Sequence, residues 1–186
     1  ENVQVRYLVN RETTAPASTP SKPFQIRFSS LSPYAAAELM ELSEAQDDRF
    51  TKAYDVAKGA LQDAGIFPRP NTPEDERRLV ELNEFETGYP GLTVNILYDI
   101  VEAFYAKVQK SSKWEPSTPK FKDEKVRAAI WQRVVGVDTN NPTSWNILRA
   151  RINRLVRTDI FDNATASSLP FKEMLHPGQT TLIDLS

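Results

Sequence analysis

The apolar residues of this chain change their spacing twice, and that change limits the fold more than any other feature. Near the start they recur at every second residue. Val3, Val5 and Tyr7 share one face of VQVRYLV, and Phe24, Ile26 and Phe28 share one face of FQIRF, as in half-buried strands. From Ser32 onward the spacing becomes helical. After Gly178 a short apolar run from Thr181 to Leu185 is strand-like again.

The helical part carries its own start and stop signals. SPYAAAELMELSE opens with Ser32 as N-cap and Pro33 at the first helical position. Phe50, Ala53, Tyr54, Ala57, Ala60, Leu61 and Ala64 follow at helical intervals between Asp47 and Ala64, and Gly65 is the expected stop. The alanines on that stripe predict a close approach to another helix. NTPEDERRLVELNEF pairs Thr72 as N-cap with Pro73 and first-turn acids. Leu92 to Val108 repeats the pattern through Val94, Leu97, Tyr98, Val101, Phe104, Tyr105 and Val108. Lys122 to Val135 does so through Val126, Ile130 and Val134. Ser144 to Asp159 does so through Leu148, Ile152, Leu155 and Val156. Pro170 to Leu175 allows one more helical turn.

The expected fold is therefore mainly α, a helical bundle of about five to six helices flanked by short β-strand stubs. Residues 1–31 form a strand stub and loop, 32–168 the bundle, and 169–186 a turn and returning strand. The terminal strands have few partners for a sheet of their own, so they are expected to be stubs of a sheet interrupted by a helical insertion. The ending GQTTLIDLS reads as a strand cut from a larger protein.

Composition excludes several functions. The 186 residues include no cysteine, which removes disulfides, thiolate metal sites and cysteine nucleophiles. A net charge of −2 provides no global field toward nucleic acid or membrane. No apolar run is long enough to cross a bilayer and no signal-peptide pattern opens the chain, so a cytoplasmic location without membrane contact is expected. None of the six glycines precedes a lysine, so no phosphate-binding loop is present. The single histidine, His176, precedes Pro177 in a turn and cannot build a zinc site or a triad alone. Asp47-Asp48 and Glu74-Asp75-Glu76 sit where helix dipoles favour acids, which accounts for them without catalysis. No catalytic, cofactor-binding or metal-binding residue is expected.

One charged set stands out. In LRARINRLVR, Arg151, Arg154 and Arg157 share one flank of the Leu148/Ile152/Leu155 face, and Arg149 falls on the other flank. Helix charges usually face solvent. The sharper reading is contact with phosphate or with a neighbouring subunit's acids, both of which suit Arg. Trp114, Trp131 and Trp145 are scattered rather than interleaved with basic residues, and are expected as core or interface anchors.

Two stretches carry a resemblance. FQIRFSSLSPYAAAELMELSEAQDDRF resembles the segment of HerA-type ATPases in which a strand leads into Leu-Ser-Pro and a helix. LPFKEMLHPGQTTLIDLS resembles the same family's return to its core, with a Phe-x-Glu-Met-Leu box, a Pro-Gly turn and a strand. The helical middle matches only by position and class. The resemblance implies a piece of a hexameric, DNA-translocating P-loop ATPase of the HerA/FtsK group, covering a helical insertion between Walker A and Walker B. ATP and Mg would then belong to the parent protein. Its partners would be the rest of the ATPase core, double-stranded DNA and a nuclease or other effector. By the same analogy Asp184 lies on a core strand that precedes Walker B and is not a magnesium ligand. The chain itself is expected to be non-catalytic, supporting subunit assembly or the coupling of ATP hydrolysis to DNA movement. The alternative is a self-standing helical protein-interaction module. A further alternative is DNA binding by Arg151, Arg154 and Arg157.

Overall fold

A computed structural model describes residues 4–9, 21–67, 88–111, 113–162, 167–168 and 179–184, with only the backbone for the strands. The fold is mainly helical, as expected. The described elements are β1 (Gln4–Val9), β2 (Ser21–Gln25), α1 (Pro33–Leu39), α2 (Glu44–Asp63), α3 (Val94–Val108), α4 (Glu124–Gly136), α5 (Pro142–Thr158), β3 (Ser167–Ser168) and β4 (Gln179–Asp184). Single 3-10 turns occupy Phe28–Ser30 and Pro119–Lys122. The expected helix from Thr72, the expected turn over Pro170 to Leu175, and His176 lie outside the described residues.

The caps explain where the helices begin. The Ser32 hydroxyl accepts from the Ala35 N–H at 3.1 Å, so Pro33 costs no hydrogen bond at the first position. Thr93 Oγ1 accepts from Ile96 N–H, Asp123 Oδ1 from Lys125 and Val126, and Asn141 Oδ1 from Ser144. Helix α2 starts three residues before the expected Asp47. Gln46 Oε1 reaches back to the Ser43 N–H at 3.1 Å, one half of a capping box that the sequence SEAQ encodes. Asp47 therefore falls late in the first turn, and Asp48 pairs with Lys52 one turn on. The helix expected to run on from Ser32 instead breaks after Leu39, where Glu41 takes a left-handed φ of 51°.

Helix α3 lies at the centre and packs against α2, α4 and α5. Its face of Ile96, Leu97, Ile100, Val101 and Phe104 is buried, Leu97, Ile100, Val101 and Phe104 completely. Ala53, Ala57 and Ala60 of α2, the expected alanine stripe, are all fully buried, and α2 packs against α3, α4 and α5. From α5 comes Trp145, whose ring stacks on Phe104 at 4.4 Å and 11°. Gly59 has a separate reason. A Cβ there would lie 2.6 Å from the guanidinium of Arg133, which crosses α2 to bind Asp63 Oδ2 at 2.6 Å. That ion pair raises the Arg133 pKa further.

The strands form a four-stranded sheet in the order β3-β2-β1-β4. Every pairing is parallel: β1 with β2, β1 with β4 from Gln4↔Gln179 to Val9↔Asp184, and β2 with β3. The terminal strands thus pair with one another, although few partners were expected for them. Parallel neighbours need a crossover connection, and the helices occupy the connection from β2 to β3. Strand β2 is earlier than the expected Phe24 to Phe28. Main-chain bonds from Ile26 N to Ile160 O (2.9 Å) and from Asp162 N to Ile26 O (3.0 Å) continue past it, but the Phe28 N–H turns to the Asp162 carboxylate. Phe28 is then buried edge-on against Phe161, with centroids 6.0 Å apart.

Candidate functional site

The arginines of α5 part company. The apolar face of Trp145, Leu148 and Ile152 is fully buried. Arg151, beside it, turns its Nη1 onto the carbonyls of Met40 and of Glu41 (2.6 Å for the latter). Those carbonyls close α1 and have no partner within the helix, so Arg151 supplies the cap and ties α1 to α5. Arg154 and Arg157 remain exposed on the outer flank. Arg149, on the opposite flank as expected, sits 4.3 Å over the Tyr105 ring and 3.5 Å from Glu102. Of the expected stripe, the fold leaves Arg154 and Arg157 together at the surface and takes Arg151 inward.

Arg149 belongs to a cleft beside α3. The cleft measures about 420 Å³, and Tyr98, Glu102, Tyr105, Arg149 and Trp114 line it. Burial pushes the Tyr98 phenol up to about 12, reinforced by its hydrogen bond to Glu102. A second cleft of about 420 Å³ lies on the other side of Trp114, against Glu124, Arg127 and Trp131. The wall between them, the loop around Trp114, is pinned by one acid. Asp99, 2% exposed, accepts from Ser117 N–H (2.8 Å), Ser117 Oγ (2.9 Å) and Thr118 N–H (2.7 Å). Its own carbonyl accepts from Trp114 Nε1 at 2.9 Å. In the cleft Glu102 bonds the Tyr98 phenol and lies 3.5 Å from the Arg149 guanidinium. Among the described residues no group of three His, Asp or Glu is arranged to hold a metal.

The second polar centre is the junction between sheet and bundle. Asp162, at a left-handed φ of 55°, accepts from Phe28 N–H through Oδ1 and from Val94 N–H through Oδ2, each at 3.0 Å. One carboxylate therefore holds the chain leaving β2 and the first residue of α3. Burial raises its pKa. The two N–H donors and Arg27 pull the other way without reversing the shift.

Sequence reasoning found neither Asp99 nor Asp162. Asp99 lies in the α3 pattern as an apparent solvent charge, and its three partners are 18 or 19 residues away. Lys107 was equally hidden. Its Nζ reaches across to the carbonyls of Val134 and Val135, each at 3.1 Å, and of Val137, closing α4. The only available signals were an acid in an otherwise apolar helix and an Asp beside an aromatic, and both are common. Of the tryptophans, Trp145 is fully buried and Trp114 nearly so, with Trp131 half-buried, in keeping with anchors. No helix of the described residues is long and apolar enough to cross a membrane. No protein family, no curated protein and no solved structure matches this chain.

Proposed function

We propose that this chain is the non-catalytic helical insertion of a HerA-like, ATP-dependent DNA translocase, and that it couples motion of a parallel α/β core to the bundle. Asp162 is the observation that supports this reading best. It bonds at once to Phe28, where the chain leaves the strands, and to Val94, where the central helix begins. A displacement of the strands would therefore be felt at the end of α3. The parallel pairing of β1 with β4 and of β2 with β3 is in keeping with a bundle spliced into a parallel sheet. ATP, Mg, the hexamer and the DNA path belong, on this reading, to the rest of the parent protein.

The test starts with the reading frame around residues 1–186. It should carry G-x-x-x-x-G-K-[ST] upstream and an acidic Walker B strand downstream. The protein encoded by that frame should then hydrolyse ATP in a DNA-stimulated manner. Asp162→Ala should lower the stimulation more than the basal rate. A frame without those motifs would overturn the ATPase reading.

The alternative, a helical protein-interaction module, draws on the two clefts beside Trp114, whose polar and aromatic lining suits a peptide. DNA binding by the bundle alone has less support, because Arg151 is engaged with Met40 and Glu41.

A further inference from the structure

The two clefts that flank Trp114 are equal in size, about 420 Å³ each, but differ in how their charged groups are engaged. Beside α3, Glu102 bonds the Tyr98 phenol, and Arg149 lies 3.5 Å from Glu102 and 4.3 Å over the Tyr105 ring. Against α4 stand Lys113, Glu115, Glu124 and Arg127. Among the described residues none of these four side chains makes an ion pair or a hydrogen bond. Glu124 and Arg127 are three residues apart on α4, a spacing at which opposite charges often pair, and they do not. Trp131 follows on the same face of the helix. It is half-buried and stacks on no other ring among the described residues, and its indole N–H is neither bonded nor closed to solvent.

We propose that the cleft against α4 docks an extended peptide segment of a partner protein, one that carries charges of both signs around an aliphatic or prolyl residue. This rests on the interaction-module reading and narrows it to one of the two clefts. Charge selects the class of partner. A nucleic acid would set its phosphates against Glu115 and Glu124, and a polycation would meet Lys113 and Arg127. A peptide can present an acid to the two cations and a base to the two carboxylates along its length. Its main-chain carbonyls also suit the Trp131 N–H, which can only donate. The indole faces of Trp114 and Trp131 suit an aliphatic or prolyl side chain between those charges. The volume falls in the range of about 300–1,000 Å³ typical of ligand clefts, which is room for a few side chains.

The experiment selects random heptapeptides, displayed on phage, against the chain. The selected peptides are then synthesised and titrated while the Trp131 indole N–H resonance is followed by NMR. They should carry at least one acid and one base, and should shift that resonance in a saturable way. Trp131→Ala should weaken binding at least about tenfold, as expected for an aromatic anchor. Trp131→Phe, which keeps a ring and removes the N–H, serves should the alanine variant fail to fold. Arg127→Ala and Glu124→Ala should each weaken binding about threefold, the scale of an exposed ion pair. Peptides that depend on Arg149 and Tyr105 instead would keep the interaction-module reading and overturn this choice of cleft. A selection that yields no peptide, or only peptides of one charge sign, overturns the proposal. So does single-stranded oligothymidylate that shifts the Trp131 resonance at lower concentration than any selected peptide.

Discussion

The interior of the bundle and its edges are held by different means. Inside, α2, α3 and α5 bury apolar side chains, with Ala53, Leu97, Phe104, Trp145 and Ile152 all fully buried. At the edges, four charged side chains bond to main-chain groups far away in sequence: Asp99 to the loop at Ser117, Asp162 to Phe28 and Val94, Lys107 to the end of α4, and Arg151 to the end of α1. The interior needs only correct spacing. The edges need particular atoms, because each replaces a hydrogen bond that a helix end or loop cannot make for itself. The largest effect should accordingly come from the interior. Trp145→Ala removes a stacked, enclosed ring and should cost about 3–5 kcal/mol in urea unfolding. A loss below about 1 kcal/mol would mean that the edges carry the fold.

Among the edge residues Asp99 should matter most. Asp99→Ala leaves two N–H groups and a hydroxyl without their acceptor. About 2 kcal/mol is expected, together with faster amide exchange at Ser117 and Thr118. Exchange unchanged there would show that Trp114 alone anchors the loop and would blur the contrast between apolar and polar closure.

This contrast also explains what the sequence could disclose. Spacing placed four of the five described helices to within three residues and identified Val94, Leu97, Val101 and Phe104 as one face. Local caps such as Ser32 were legible because donor and acceptor lie three residues apart. The partner of Asp162 at Phe28 lies 134 residues away, and that of Arg151 at Met40 lies 111 away. Nothing in a one-dimensional pattern separates such a charge from one that faces water. The arginine stripe shows the same limit: helix geometry put Arg151 on that flank but could not say that α1 ends there. The break at Glu41 was hidden because Glu seldom takes a left-handed φ.

The junction can be examined by pH. Because burial raises the Asp162 pKa, the folded protein holds that proton more tightly than the unfolded chain does. Its ionisation therefore costs stability as pH rises from near 3.8 through the folded value. Asp162→Asn has no such ionisation and tolerates the left-handed backbone. The stability of the wild type minus that of the variant should fall with rising pH across this window and then level off. A difference that climbs with pH would mean that the two N–H bonds outweigh burial. In absolute terms, Asp162→Ala should cost about 1–2 kcal/mol at neutral pH, from two unmatched N–H groups that water partly reaches.

The smallest effects separate two arginines one helical turn apart. Arg151→Ala uncaps α1 and should cost about 1 kcal/mol, with faster amide exchange between Ala36 and Leu42. Arg154→Ala, three residues on and exposed, should stay within about 0.5 kcal/mol. The pair also tests the idea of a DNA-facing stripe. If the flank binds duplex DNA, Arg154→Ala should weaken binding and reduce its salt dependence while stability is untouched, and Arg151→Ala should act on stability first. If neither variant alters salt-dependent binding, the flank is solvated surface, and Arg151 is there to close the end of α1.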